Sequence, residues 1–246
     1  MIKIVDWNIN GGYLVRKDSV EKNFEFFVNK IKKLNPDIVL IQEGHISKEF
    51  NQIQELSKQL GLKHYIYEEL CESHIEKNTQ LCLFILSKYE IKSSNFFKLT
   101  NPNLISFNEK YGGEIRTDTI SKGFLNGKIE INKEEINLIT GHNHAFHIFN
   151  KKLDEYPVVL EEIKNYILKQ TKSSAKMIFG ADLNYYKIDT IAKNLFSNKV
   201  QNVFDNVITY KNKQYDHILI SKNFKIINKK IDMCTNDHAL LYFEIE

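Results

Sequence analysis

Short apolar runs that abut Asn, Asp, Glu or His constrain this chain more than any other feature. Lys3-Ile4-Val5 leads into Asp6-Trp7-Asn8, and Ile38-Val39-Leu40-Ile41 leads into Gln42-Glu43. Ile136-Asn137-Leu138-Ile139-Thr140 ends in Gly141-His142-Asn143-His144, and Met177-Ile178-Phe179 ends in Gly180-Ala181-Asp182-Leu183-Asn184. Two further runs open on their polar pair, Asp216-His217 before Ile218-Leu219-Ile220 and Asp237-His238 before Ala239-Leu240-Leu241. Short apolar runs of this kind read as buried strands. Polar groups at their ends stand where a sheet meets solvent and a pocket can form. Their recurrence points to one convergent site.

The spacing between the runs supplies the helices. Ser19 is placed to cap a helix carrying Val20, Phe24, Phe27, Val28, Ile31 and Leu34 at helical spacing, stopped by Asn35-Pro36. A second amphipathic helix is expected from about Ser47 to Leu60, with Phe50, Ile53, Leu56 and Leu60 on one face and Gly61 as its stop. From about Lys63 to Ile139 the pattern turns to extended runs, at Tyr65 to Tyr67, Leu81 to Leu86, Ile120 to Ile131 and Ile136 to Thr140. A third helix spans about Leu153 to Gln170, with Pro157 tolerated in a first turn, and a short one lies near Asp189 to Phe196 before a last strand, Ala239 to Ile245. Two sheets with helices outside them accommodate this order.

At 246 residues, with no Pro/Gly/Ser linker or repeat, residues 1–246 are expected to form a single domain. The start runs directly into a strand without the apolar core of a secretory signal, and no apolar stretch approaches membrane-spanning length, so a cytoplasmic protein without a membrane anchor is expected. Cys71, Cys82 and Cys234 are odd in number and lack Cys-x-x-Cys spacing, which suggests neither a disulfide framework nor a thiolate zinc site and fits a reducing compartment. The net charge is +3, carried almost entirely by lysines with Arg16 and Arg116 the only arginines, a weak footprint for nucleic acid on its own. Lysine groups such as Lys222, Lys225, Lys229 and Lys230 read as a solvated face. No obligate protein partner is evident.

Taken in order, Trp7-Asn8, Pro36-Asp37 to Glu43, Thr140-Gly141-His142, Gly180-Ala181-Asp182-Leu183-Asn184, Asp216-His217-Ile218-Leu219 and Asn236-Asp237-His238 resemble the endonuclease/exonuclease/phosphatase superfamily along the whole chain. The resemblance implies an α/β fold of the deoxyribonuclease I-like kind, a four-layered α/β sandwich of two mostly antiparallel sheets packed face to face with helices outside. It also implies a metal-dependent phosphodiesterase. Glu43 and Asp237, with Asn8, offer the hard oxygen ligands that Mg²⁺ prefers, and Mn²⁺ accepts the same set. They are too few to close the shell, which leaves room for water and a phosphate oxygen. His238 is placed to take a proton from water, with Asp216 in the family's orienting role. Asp182 and Asn184 share a face if extended, where one can orient or deprotonate water while the other donates to phosphate. His142 would be the acid, protonating the leaving oxygen or stabilising the pentacoordinate phosphorus. Gln80 falls where relatives place a polar partner for the catalytic His, Lys122 where many carry a phosphate-facing Arg, and Tyr185 and Tyr186 follow Asn184 where they can stack on a base or sugar.

Other readings compete. His142, His144 and His147 suggest the zinc site of metallo-β-lactamase-like hydrolases, but Phe146 stands where that motif needs Asp. A catalytically silent binding module would lack one of Glu43, Asp182, Asn184, Asp216 or His238, and none is missing. His217 reads as a buried structural residue, and His45, His64 and His74 carry no signal. Within the superfamily, Gln42-Glu43-Gly44-His45 and the His at 142 depart from the pattern of abasic-site endonucleases. A nuclease acting on DNA or RNA is the expectation, with a phosphatase or a phospholipid or small-molecule phosphodiesterase as the alternative.

Overall fold

The computed structural model describes the chain except residues 17, 18, 109–113, 118–120, 174, 197, 198 and 234–236. Ile120, Cys234 and Asn236, named in the sequence patterns, lie outside the described residues. In order across the first six-stranded sheet stand β15 (Ile226–Asp232), β16 (Leu240–Ile245), β1 (Ile2–Asn8), β4 (Ile38–Ser47), β6 (Thr79–Ser87) and β5 (His64–Glu72). The second sheet runs β13 (Val200–Asn202), β14 (Asp216–Ser221), β12 (Lys176–Asp182), β11 (Glu134–His142), β10 (Gly123–Ile131) and β7 (Ile91–Lys98). Two short ribbons, β2 (Tyr13–Arg16) with β3 (Ser19–Lys22) and β8 (Ile105–Asn108) with β9 (Glu114–Thr117), stand outside them.

Each sheet is antiparallel apart from one central parallel pair. A parallel neighbour needs a crossover long enough for a helix. α1 (Phe24–Leu34) bridges β1 to β4, and α3 (Pro157–Lys172) bridges β11 to β12. With α2 (Gln52–Leu60) beside α1 and α4 (Ile188–Phe196) beside α3, the layers are helices, sheet, sheet, helices. This is the four-layered sandwich expected from the sequence.

The strands' period of two sorts their side chains between a shared inner core and two outer ones. Ile4, Ile38, Leu40, Leu138, Ile178, Ile218, Leu241 and Phe243 meet between the sheets. Val5, Trp7, Val39 and Ile41 pack outward on Phe27, Ile31, Ile53 and Leu56 of α1 and α2. Ile139, Met177, Phe179 and Leu219 pack outward on Ile163, Tyr166 and Ile167 of α3. Continuing the inner parity along each strand gives Asp6 and Asn8, Gln42, Thr140 and His142, Gly180 and Asp182, and, on β14, Asp216. Polar side chains therefore gather between the sheets at one end.

Several boundaries differ from the sequence expectation. Ser19 and Val20 belong to β3, with Val20 63 % exposed, and α1 begins at Phe24 because the Asn23 side chain accepts from Phe26 N at 3.1 Å. Likewise β4 continues through Ser47, α2 begins at Gln52 under an Asn51 cap, and Phe50 sits outside the core helix face. A local side-chain acceptor outcompetes the wider apolar period in both places. Pro157 is the first residue of α3, as its missing N–H requires. The edge strands β7, β13 and β15 escaped the apolar pattern because an edge exposes one side and tolerates polar residues, as in Lys92-Ser93-Ser94-Asn95. No helix among the described residues is long and apolar enough to cross a membrane.

Gly44 shows how tightly the first sheet is packed. A Cβ there would fall 2.1 Å from the Phe84 ring, a fully buried group held between strands. Gly44→Ala is expected to destabilise the protein by about 1–3 kcal/mol through overpacking, measured as a lower urea midpoint at unchanged slope.

Candidate active site

Strand register sets the floor of the site. His142 on β11 pairs with Asp182 on β12, and Asp182 pairs with Asp216 on β14, so these side chains stand in one row on the inner face of the second sheet. Neighbouring strands lie about 4.8 Å apart, which brings a carboxylate, a second carboxylate and an imidazole into reach of one another. From the facing sheet, Asn8 Nδ2 donates to Asp182 Oδ2 at 3.0 Å. The amide orientation is forced, because Asn8 Oδ1 accepts from the backbone N–H of Asn10 at 3.0 Å.

Behind this row lies a second polar layer that sequence reasoning did not assign. Gln42 Nε2 donates to Asp6 Oδ1 at 2.8 Å and to Thr140 Oγ1 at 2.9 Å, tying the two sheets together. Gly180 leaves the space for it, since a Cβ there would meet Asp6 Oδ1 at 2.4 Å. Burial raises the Asp6 carboxyl well above the usual range, partly offset by the Gln42 hydrogen bond. The signal for both residues was present in the sequence as inner-face parity with Asn8.

Glu43 reaches the pocket by a different device. Regular alternation from Ile41 and Gln42 would turn it outward to the helices. A β-bulge between Ile41 and Gly44 puts Glu43 at φ 54 and swings its side chain to the pocket, with Oε1 3.4 Å from His142 Nε2. Bulges beside active sites commonly re-aim a side chain in this way. Asn184 also holds a left-handed backbone, φ 48, with its N–H donating to Asp182 Oδ1 at 2.9 Å and Nδ2 to Asn143 O at 3.1 Å.

His238 enters from the loop before β16. Its Nδ1 lies 2.9 Å from Asp216 Oδ2, which fixes Nδ1 as the protonated nitrogen and turns Nε2 towards Asp182, 3.7 Å away. Trp7 Nε1 donates to His238 O at 3.0 Å, and Thr209 Oγ1 accepts from the N–H groups of Tyr215 and Asp216, so the backbones of both His238 and Asp216 are held by neighbouring side chains. Lys122 Nζ is 3.0 Å from His142 Nδ1, buried with it at the start of β10.

These placements separate the two imidazoles. Burial, reinforced by the Lys122 ammonium, holds His142 well below the ordinary histidine range. Burial would do the same to His238, but the Asp216 and Asp182 carboxylates outweigh it and hold that imidazole well above the range. Burial lifts Asp182 to about 7 against the pull of His238. Asp237 is raised by burial, opposed by His238 and reinforced by Glu43, and its Oδ1 is buried with no hydrogen-bond partner. His142 in the free protein is thus biased towards its neutral, hydrogen-bonding form.

The pocket encloses about 570 Å³ and is lined by Glu43, Lys122, His142, Asp182, Asn184, Asp237 and His238 among others. Two candidate residues fall elsewhere. Gln80 lies within β6 opposite Ile46 and Glu72, away from the pocket lining, and Lys122 occupies the position against the His142 imidazole. Tyr185 is only 4 % exposed, packed in the outer core with its hydroxyl donating to Asp154 Oδ1 at 2.6 Å, so its ring is not free to stack on a substrate. Tyr186, 45 % exposed, is the available ring. His217 is buried with Nε2 2.8 Å from Tyr185 O. The His142, His144 and His147 set disperses, His142 against Lys122, His144 beside Phe146 and His147 stacked on Tyr215, so no zinc cluster forms from them.

Asp182, Asp216 and His238 bring donor atoms within 4.8 Å of one another, a spacing that could hold a cation. Those atoms are already engaged with each other, Asn8 and Asn184. The better fit for a hard divalent ion is the orphaned Asp237 Oδ1 with Glu43, two carboxylates that line the same pocket and raise each other's charge density there.

The two-sheet architecture is that of endonuclease/exonuclease/phosphatase proteins. The chain superposes on an endonuclease/exonuclease/phosphatase family protein from Leptotrichia buccalis C-1013-b with a TM-score of 0.70 at 15 % identity, covering 100 % of both chains. It superposes on the human Nocturnin catalytic domain with bound sulfate anion at a TM-score of 0.68 and 14 % identity, covering 100 % of this chain and 94 % of that one. A mannosyl-6-phosphatase from Bacteroides thetaiotaomicron VPI-5482 gives 0.63 at 11 % identity, covering 100 % of both. No protein-family model and no curated protein sequence matches the chain.

Burial lifts the Asp182 carboxyl of the folded chain from its ordinary range near 4 to about 7, so this group contributes stability that is lost as pH rises through that window. Metal-free wild type is expected to lose Tm relative to Asp182→Asn as pH rises from about 4 to about 7, the window of the Asp182 shift. Long-range ¹H–¹⁵N spectra of the same sample at neutral pH should show His238 as imidazolium and His142 neutral; a neutral His238 would contradict the geometry.

Proposed function

We propose that this protein is a divalent-metal-dependent phosphoester hydrolase whose substrate is DNA or RNA. The observation that carries the reading is the division of one pocket into two halves. Glu43 and the unpartnered Asp237 face it as oxygen donors, while Lys122 and His142 face it as a cation and a hydrogen-bonding imidazole. A phosphate needs both halves. The fold shared with a phosphatase and with a domain that binds sulfate, a tetrahedral anion of phosphate's shape, supports the same chemistry.

Glu43 and Asp237 would hold Mg²⁺ or Mn²⁺, with Asn8 behind them orienting Asp182. When bound, such an ion supplies Lewis acidity to the phosphoryl oxygen and offsets the local carboxylate charge. Lys122 Nζ and the His142 ring bind the non-bridging oxygens and meet the negative charge that grows on them in the transition state. His238 Nε2 takes the proton of the attacking water, with Asp216 fixing the ring's tautomer and stabilising the imidazolium formed. Asp182, held by Asn8 and Asn184, orients that water from the floor of the pocket.

His238→Ala and Asp182→Asn are each expected to lower kcat on a simple aryl phosphodiester by about 10²- to 10⁴-fold. Excess EDTA should abolish turnover, and Mg²⁺ or Mn²⁺ should restore it. Since the base must be neutral and its pKa is raised, kcat/KM should climb with pH through the His238 titration. In differential scanning, Mg²⁺ should raise Tm for the wild type and much less for Asp237→Asn. Absence of turnover with either ion, on aryl diesters and oligonucleotides alike, would sink the assignment.

A further inference from the structure

A second hollow of about 300 Å³ opens beside the catalytic pocket and shares His147 and Asn184 with it. The wall between the two is a row of aromatic rings that begins at the catalytic imidazole. Tyr210 lies 4.5 Å from His238 between ring centroids, Tyr215 stacks on Tyr210 at 5.6 Å, and His147 stacks on Tyr215 at 5.2 Å. On the far side stands Tyr186, and Lys213 Nζ lies 4.2 Å from its ring centroid. Lys151 and Lys152 complete the rim.

Part of this row has a structural reason. Tyr215 is buried, and Tyr210 packs against His238 and pairs with it by a backbone bridge. Tyr186, just before α4, is 45 % exposed: its ring touches Tyr185 at 6.1 Å between centroids and has the ammonium groups of Lys213 and Lys187 near its face. An exposed aromatic ring among lysines, next to a phosphate-sized catalytic pocket, matches a ligand that alternates flat apolar rings with negative charge. Bases within a duplex present only groove edges and backbone, because their faces are covered by their neighbours. A ring wall can grip only a base whose face is free.

We propose that this hollow holds the nucleotide flanking the scissile phosphate with its base unpaired and stacked on Tyr186, and the next phosphate at Lys213, so that the protein acts on single-stranded rather than duplex nucleic acid. This rests on the phosphoester-hydrolase reading and narrows its substrate. The hollow then selects the strand, and the pocket performs the cleavage.

The test is fluorescence anisotropy of a short labelled oligonucleotide, single-stranded and annealed to its complement, titrated with the full chain in EDTA so that binding is read without turnover. The single strand should bind more tightly than the duplex. Tyr186→Ala should weaken single-strand binding roughly 5- to 150-fold, the range for one lost stacked base. Lys213→Gln should weaken it and reduce the slope of log Kd against log salt by about 0.7, one phosphate contact on a single strand. Lys164→Gln, on α3 in an ion pair with Glu161, serves as a charge-matched control that leaves both unchanged. Duplex binding as tight as single-strand binding, or Tyr186 and Lys213 variants indistinguishable from wild type, would overturn the proposal. Turnover of the aryl diester with Mg²⁺ reports separately on the hydrolase: its loss beside intact single-strand preference removes that reading alone, and its presence without the preference removes this one alone.

Discussion

The hydrogen bond from Asn8 Nδ2 to Asp182 Oδ2 crosses from one sheet to the other, and the arrangement of the pocket depends on the closeness it records. Two sheets packed face to face by apolar side chains normally stand about 10 Å apart. Here short polar side chains span that gap at one end, with Gln42 reaching both Asp6 and Thr140 in the layer beneath. Gly180 makes the approach possible by leaving its inner face empty. The result is a row of functional groups whose spacing comes from strand register on one side and from inter-sheet distance on the other. Both are rigid quantities set by a close-packed core.

Burial converts that rigidity into chemistry. Two imidazoles stand near Asp182, yet one is driven towards its neutral form and the other towards its charged form. The difference lies in the immediate neighbours: a lysine ammonium beside His142, an aspartate hydrogen-bonded to His238. A low-dielectric site amplifies such neighbours, because water is not there to screen them. Two imidazoles of opposite charge preference are thereby built from the same residue type in one pocket. Asp237 carries the remaining tension, an unpartnered oxygen beside a second carboxylate that a hard cation would relieve.

Much of the fold was legible in the chain because strand alternation and helix period are local. The central strands and the helical crossovers followed from apolar spacing and from Asn35-Pro36 and Pro157. The edge strands β7 and β15 did not, since one exposed side lets polar residues such as Asn95 or Lys229 stand in a strand without breaking it. Helix starts were misplaced where Asn23 and Asn51 accept a backbone N–H. Gln80 and Tyr185 were placed by position along the chain, and the structure moves both out of the pocket, Gln80 by where β6 pairs and Tyr185 by its hydrogen bond to Asp154.

By itself the sequence determined which strands end in polar residues and, by alternation within each strand, that Asn8, His142, Asp182 and Asp216 leave on the same side as Ile4, Leu138, Ile178 and Ile218. Only the tertiary structure decided how those ends meet. Glu43 has the parity of an outward residue and becomes a pocket residue because a β-bulge at φ 54 turns it, a backbone choice imposed by pairing with β6. The pairing of His238 with Asp216, the burial of Lys122 against His142 and the row of rings from His238 through Tyr210 and Tyr215 to His147 all join segments distant in the chain. Local sequence sets the direction in which a side chain leaves a strand, but what it meets depends on register and on the approach of the two sheets, and neither is encoded within any one strand.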